Sequence, residues 1–243
     1  MKIKNLLLLL LLAAALTVMT GCAWFQRGPQ PLEDTPQELA QAGVDAMEQE
    51  RYRKAIEHFS DLRDRFPFSP HTPTAEVALG DAYMKSGNYD AAITVFTEFA
   101  EMNPRHEYMP YVLFRTGLAH YNKFTSIDRP QRNMQEALEY FRRVAQVYPE
   151  TEYAEYSRYY MVQCRKKIAE HELYIADFYW RTKRYGSAYE RYRYVMDNFE
   201  DLPEYVEYAG ERARQSYYKH QEHVSSHKRA IDEGTWRDWL DWL

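Results

Sequence analysis

Apolar and polar positions between residues 36 and 223 fall into segments of helical period, with no stretch of strict alternation. The pattern predicts helices over 37–49, 52–66, 73–86, 89–102, 108–122, 134–147, 152–182, 184–199 and 203–223. The seventh segment is the odd one. Its stripe runs Tyr156, Tyr160, Cys164, Ile168, is broken by Glu172, and resumes at Ile175 and Tyr179. With no Gly or Pro between Glu150 and Tyr185, it is expected to be two helices nearly in line that change faces near Glu170 to Glu172; one kinked helix is the alternative. Before these segments lies an unbroken leucine run, Leu6 to Leu12, and after them a short stripe of Trp236, Trp239, Leu240 and Leu243.

The helical segments repeat. Gly43, Ala55, Phe59 and Pro67 recur 37 positions later as Gly80, Ala92, Phe96 and Pro104, and Tyr52 recurs as Tyr89. A third copy carries Gly117, Ala137, Phe141 and Pro149, lengthened by eight residues in the turn around Phe124 to Asn133. A fourth carries Ala176, Tyr179, Tyr185, Ala188 and Tyr192, with tyrosine in the phenylalanine position. Helix starts share a second signature, Glu107-Tyr108-x-x-Tyr111, Glu152-Tyr153-x-x-Tyr156 and Glu204-Tyr205-x-x-Tyr208. Glycines at these places allow close approach of paired helices, the alanines do so from the other side, and the phenylalanines are expected to fill the gap to the next pair. The prolines end the second helix of each pair.

The spacing resembles the tetratricopeptide repeat, most completely at Leu79, Gly80, Tyr83, Ala92, Phe96 and Pro104. It implies an all-α tetratricopeptide-repeat superhelix of about five helix pairs, or ten helices, over residues 36–223, with a concave groove suited to peptides or partner surfaces. Nine glycines in 243 residues and few β-branched runs argue against a sandwich or a doubly wound sheet.

The leader carries an address. Lys2 and Lys4 precede the leucine core, which is too short for a membrane span, and the segment ends Met19-Thr20-Gly21-Cys22. This resembles a bacterial lipoprotein signal over 1–21, in which Cys22 is acylated and becomes the new N-terminus; an ordinary signal peptide containing a cysteine is the alternative. The covalent N-acyl and S-diacylglycerol lipid on Cys22 is the only attached group expected, and no cofactor. Several acyl chains at roughly 0.8 kcal/mol per buried methylene anchor stably where one does not. Ala23 after the cysteine resembles the outer-membrane sorting pattern, so a body on the periplasmic face is expected. Residues 22–35 form an aperiodic tether. Cys164, left alone on an apolar stripe, is expected to be a buried small hydrophobe.

Lys and Arg number 31 against 36 Asp and Glu, and no basic tract stands out, which excludes an electrostatic nucleic-acid binder. The chain has no G-x-S-x-G, P-loop or H-E-x-x-H motif, so no catalytic residues are assigned and the protein is expected not to be an enzyme. His220, His223 and His227, with Glu222 nearby, would share a helix face and could hold a transition metal. A polar helix end explains them more simply, and no metal is assigned.

Leader, tether and repeats together resemble the BamD/ComL family of lipoproteins from the outer-membrane β-barrel assembly machine. The matching stretches are YRKAIEHFSDLRDRFPFSP at 52–70, GDAYMKSGNYDAAITVFTEFAEMNPRH at 80–106, the long third turn with Asp128, Arg129 and Arg132, and YIADFYWRTKRYGSAY at 174–189. The resemblance implies a non-enzymatic periplasmic scaffold. C-terminal helices would hold the periplasmic domains of the barrel insertase, and N-terminal repeats would face unfolded outer-membrane proteins or accessory lipoproteins. Arg191 matches an arginine that in the family meets the insertase's last periplasmic domain; a solvated arginine is the alternative. Another tetratricopeptide lipoprotein, a pilus-biogenesis pilotin or a cell-envelope coordinator, is the competing reading.

Two sets of residues are candidates for contact. Tyr52, Phe68, Tyr83 and Tyr121 belong to the first three pairs and are expected to include substrate-peptide contacts, with core packing the alternative at each position. In the tail, 224–243, Trp236, Trp239 and Leu240 form a one-sided stripe after Gly234. It could bind a partner, enter the lipid interface or dock back on the body.

Overall fold

A computed structural model describes residues 35–232, and within them every regular element is an α-helix. The helices are α1 (Pro36–Glu48), α2 (Tyr52–Arg65), α3 (Thr72–Lys85), α4 (Tyr89–Met102), α5 (Met109–Asn122), α6 (Arg132–Val147), α7 (Glu152–Arg181), α8 (Tyr185–Asn198) and α9 (Pro203–Asp232). Each packs chiefly on its neighbours in sequence, as a stack of helical hairpins should. The first is nucleated by a capping box: the Thr35 hydroxyl accepts from the Glu38 amide at 3.2 Å, and the Glu38 carboxylate accepts from the Thr35 amide at 3.1 Å.

The repeated small residues and rings meet within a pair rather than between pairs. A methyl group added at Gly43 or Gly80 would lie 2.3 Å from the ring of Phe59 or Phe96, and one at Gly117 would lie 2.9 Å from Phe141. Each ring fills the notch of its own partner helix, and Phe141 also reaches the next pair as expected, its ring stacked on Tyr160 of α7 at 5.2 Å. Stacking between pairs is shared by these rings and other side chains. Leu39, Phe59, Leu62, Leu79 and Val95 build a first core, and Phe96, Phe99, Leu113, Phe141 and Cys164 a second. Tyr83 packs against both.

Pro67, Pro104 and Pro149 each follow a residue that caps a second helix: Phe66, Asn103 and Tyr148. These caps have φ near −130° and positive ψ, outside the helical region, as the ring of a following proline requires.

The seventh segment is a single helix of 30 residues, and this changes the count. Among the described residues there are nine helices, arranged as four hairpins followed by α9, where about ten were expected. The two halves of α7 do different work. Its first half packs on α5 and α6 through Tyr153, Tyr160 and Cys164; its second half builds a third core with α8 and α9 through Ala169, Ala176, Tyr192, Val195, Ala209 and Ala213. Ile168 touches both cores. The break at Glu172 marks a change of face on one continuous backbone. Helix α9 likewise passes the expected boundary at residue 223 and continues to Asp232.

The turn inside three of the hairpins uses one backbone device. Glu50, Gly87 and Lys183 adopt φ of 55°, 79° and 62°, and the amide of the next residue returns to a carbonyl five positions back, at 2.8–2.9 Å. No atom lies within 4 Å of a methyl group built on Gly87, so replacing it by alanine tests backbone strain without a steric clash. Gly87→Ala is expected to cost about 1 kcal/mol, and Glu50→Gly to gain up to about 1 kcal/mol, in thermal unfolding. Equal melting temperatures for all three proteins would contradict this account.

Candidate functional site

The first helices of the hairpins, α3, α5 and α7, line one face of the stack, and a groove of about 520 Å³ opens there. On α3 its wall is Thr74, Val77, Ala78 and Asp81, spaced 3, 4 and 7 residues along one helix face. At the start of α5 it is Glu107, the N-cap Tyr108 and Tyr111, and on α7 it is Tyr153. The Glu-Tyr-x-x-Tyr signature of the helix starts thus supplies the groove's aromatic surface.

A polar clasp holds this surface in place. The Tyr111 hydroxyl donates to the Asp81 carboxylate at 2.5 Å, and an Arg115 Nη lies 2.6 Å from the other Asp81 oxygen. The Arg115 guanidinium also sits 5.7 Å from the Tyr111 ring centroid, and the Tyr153 ring meets Tyr111 edge-on at 5.4 Å. Burial pushes the Asp81 carboxyl above its usual range, against the opposing pull of Arg115 and Tyr111. Burial, helped by the neighbouring Asp81 charge, also holds the Tyr111 hydroxyl protonated far above its ordinary range. That hydroxyl is held as a hydrogen-bond donor to Asp81. Aromatic walls around one internally neutralised carboxylate suit the apolar and aromatic side chains of an extended segment, and Glu107 leaves the rim acidic.

The clasp occurs twice. Asp81 directly follows Gly80, and Asp177 directly follows Ala176, the matching small residue of the fourth hairpin. Asp177 accepts from the hydroxyls of Tyr192 and Tyr208, the latter at 3.0 Å, and lies 3.8 Å from Arg212. Tyr208 and Arg212 stand four apart on α9, as Tyr111 and Arg115 do on α5. The first hairpin has Val44 after its glycine and the third has Leu118, so the clasp is absent from those two junctions.

The tyrosines singled out in the sequence lie elsewhere. Tyr83 is half-buried between the first two cores, and Tyr121 is half-buried with its ring 5.1 Å from Tyr160. Tyr52 is half-buried at the start of α2, and Phe68 is 99% exposed in the turn between α2 and α3. None of the four lines the groove. Tyr108, Tyr111 and Tyr153 do, and their signal was the same helix-start signature, since residues one turn apart on successive first helices stack across the face. Arg191 on α8 pairs with Glu172 on α7 at 2.7 Å and stays 43% exposed, so it is both tethered and accessible. His220 is half-buried beside Gly186, whereas His223 and His227 are exposed, and no group of three or more metal-binding side chains converges among the described residues. Cys22, Trp236, Trp239 and Leu240 lie outside the described residues. Cys164 is buried, with its thiol pushed up to about 12 by desolvation. No helix among the described residues is long and apolar enough to cross a membrane.

A family model for YfiO, described as an outer membrane lipoprotein, matches residues 32–230. Among curated relatives, the outer membrane protein assembly factor BamD of Vibrio cholerae is 28% identical over 198 residues, covering 77% of this chain and 81% of the relative. BamD of Neisseria meningitidis serogroup B is 25% identical over 215 residues, covering 84% and 80%. Among solved structures, the TPR2AB domain of yeast Sti1 in a pHSP90 complex aligns with a TM-score of 0.48 at 15% identity, covering 76% of this chain and 70% of that one.

Proposed function

The chain belongs to the YfiO family of outer membrane lipoproteins, and on that footing we propose that it is a non-enzymatic scaffold for outer-membrane protein assembly, anchored through lipid on Cys22. Its BamD relatives, named as assembly factors, align over about four fifths of their own length, so the role is transferred with nearly the whole repeat domain. In this reading the groove of α3, α5 and α7 receives aromatic segments of unfolded barrel proteins. The C-terminal helices, with Arg191 displayed on α8, hold the periplasmic domains of the insertase.

The observation that carries the substrate half is the aromatic groove with a fixed floor. Tyr108, Tyr111 and Tyr153 converge there, and the Asp81 clasp removes the rotational freedom that binding would otherwise have to freeze. Tyr153→Ala and Tyr108→Ala remove rings that take no part in the polar contacts of Asp81 with Tyr111 and Arg115. Each is expected to weaken binding of a fluorescent peptide copying an aromatic-rich terminal barrel strand by about tenfold, near 1.4 kcal/mol. Circular dichroism melts confirm that the variants are folded. Unchanged affinity in folded variants would overturn the groove assignment. For the insertase half, a tagged chain pulled from detergent-solubilised envelope should bring a β-barrel protein with repeated periplasmic domains, and its absence would refute that part.

A further inference from the structure

Helix α9 repeats the face that α5 presents to its hairpin partner, and among the described residues nothing covers it. The two helices share one register. Glu107, Tyr108, Tyr111 and Arg115 recur 97 positions later as Glu204, Tyr205, Tyr208 and Arg212. Val112, Thr116 and Ala119 recur as Ala209, Ala213 and Ser216, buried in both helices. On α5, the face of Leu113, Gly117 and His120 is covered by α6: the Phe141 ring meets Gly117, and the Tyr140 ring stacks on His120 at 5.6 Å. Their counterparts on α9 are Gly210, Arg214 and Tyr217, which line an open groove of about 640 Å³. The other wall matches too. Tyr189 and Met196 of α8 stand 96 positions after Ile93 and Ala100 of α4, the same offset as Ala188 from Ala92 and Tyr192 from Phe96. Ile93 and Ala100 pack into the second core beside Met134, Ala137 and Phe141 of α6. The α8–α9 groove is therefore a copy of the α4–α5 cleft, without a described helix to fill it.

We propose that this groove receives one amphipathic helix of another protein, carrying a carboxylate in the middle of its apolar face. The matching cleft holds a helix of 16 residues, which sets the kind of occupant. The carboxylate follows from charge. Where three hairpins have glycine and the fourth alanine, α9 has Arg214, so the place that takes a ring elsewhere here meets a guanidinium. Arg214 is exposed and makes no ion pair among the described residues. The other charges of the groove are matched: Arg193 lies 3.5 Å from Glu190 and 3.7 Å from Asp197. Glu211, three residues before Arg214, accepts a hydrogen bond from Gln215. A carboxylate opposite Arg214 supplies the one charge the groove lacks. Gly210, in the place of Leu113, leaves room for a larger apolar side chain, since a methyl group built on it would stand 3.7 Å from its nearest neighbour, Met196. Every described helix already packs on its neighbours in sequence, so a second copy has no spare helix to lend. Arg191 pairs with Glu172 of α7 and does not line this groove, and the groove of α3, α5 and α7 shares no residue with it, so the proposal depends on neither assignment.

The probe is a fluorescent peptide copying α6, residues 132–147, with Phe141→Glu. A cross-link between positions 139 and 143, both exposed in α6, keeps it helical. It is titrated by anisotropy against the full-length chain in detergent. The peptide should bind, and Arg214→Glu should weaken binding at least about tenfold. A Phe141→Lys peptide should regain most of that loss on the Arg214→Glu protein. Arg214→Ala restores the small residue of the fourth hairpin, and should move the preference about tenfold toward the peptide that keeps Phe141. Circular dichroism melts check that these variants of an exposed residue remain folded. No binding at about 1 mM peptide, or affinities indifferent to residue 214, would overturn the proposal. Binding that appears only after deletion of residues 233–243 would make the chain's own segment the occupant and overturn it as well. Binding that is lost as the protein is concentrated would name a second copy and do the same.

Discussion

Gly80→Ala is expected to destabilise the repeat domain by about 2 kcal/mol, although it replaces a helix-interior glycine by the best helix former. Propensity alone favours the substitution by about 1 kcal/mol. The added methyl group, however, would stand 2.3 Å from one carbon of the Phe96 ring and within 2.8 Å of two more. Phe96 is fully buried, so its ring can move away only by displacing other core side chains. Overpacking of this kind costs about 1–3 kcal/mol, occasionally more, and here it exceeds the propensity gain. In a domain of this size the net loss corresponds to a melting temperature about 4–8 °C lower.

A graded series separates the two contributions. At Gly117 the nearest ring carbon is 2.9 Å away, so alanine there should cost less; at Gly210 the nearest atom is 3.7 Å away, so alanine should be neutral or stabilising. Phe96→Leu should recover part of the Gly80→Ala loss, giving a double variant more stable than the sum of the singles predicts. The fourth hairpin makes the same point within the native chain. It carries Ala176 against Tyr192, both fully buried, so the demand for glycine belongs to the spacing of α3 and α4 rather than to the repeat as such. Additive effects in the cycle would refute the notch.

The register of that notch was legible in the sequence, although the ring was expected in the gap to the next pair and not against the glycine. A glycine and a ring sixteen positions apart, copied 37 residues later, require the same two helices to meet at the same place. The prolines were legible for a similar reason, since each acts on the residue directly before it. Helix α7 was less so. Its apolar stripe changes face at Glu172, and a face change has two physical causes: a break in the backbone, or one straight helix serving two sets of neighbours. Local pattern does not separate them, because the second depends on where α5, α6, α8 and α9 lie. The groove was missed for a related reason. Tyr83 and Tyr121 stand on helices that line it, but their rings turn toward cores that only the stacking creates. Tyr108, Tyr111 and Tyr153 were visible as a repeated helix-start signature, yet their meeting depends on Asp81, thirty residues from Tyr111 in sequence.

The second large effect is expected at the other clasp, where Asp177→Ala should cost about 3 kcal/mol. The carboxylate serves Tyr192, Tyr208 and Arg212 together. Tyr192 is fully buried, so truncation strands its hydroxyl at about 1–3 kcal/mol. Arg212, whose guanidinium lies 4.4 Å from the Trp180 ring centroid, loses its counter-charge in a mostly enclosed site. Full loss of a buried pair costs about 3–5 kcal/mol, and about a quarter of each side chain remains exposed here, which lowers the arginine's share. Asp177→Asn keeps an acceptor but no charge and should cost roughly half as much. Tyr192→Phe in the Asp177→Ala background should restore stability by removing the orphaned hydroxyl, an outcome that loss of packing alone does not produce. Because the third core meets the second only around Ile168, the damage should stay local. Amide exchange should rise across α8 and the first half of α9 while Cys164, in the second core, remains closed to thiol reagents. If Cys164 opens in step with α8, the two halves of α7 unfold together, and the long helix is a rigid coupling between the groove and the C-terminal hairpin rather than a seam between two independently stable parts.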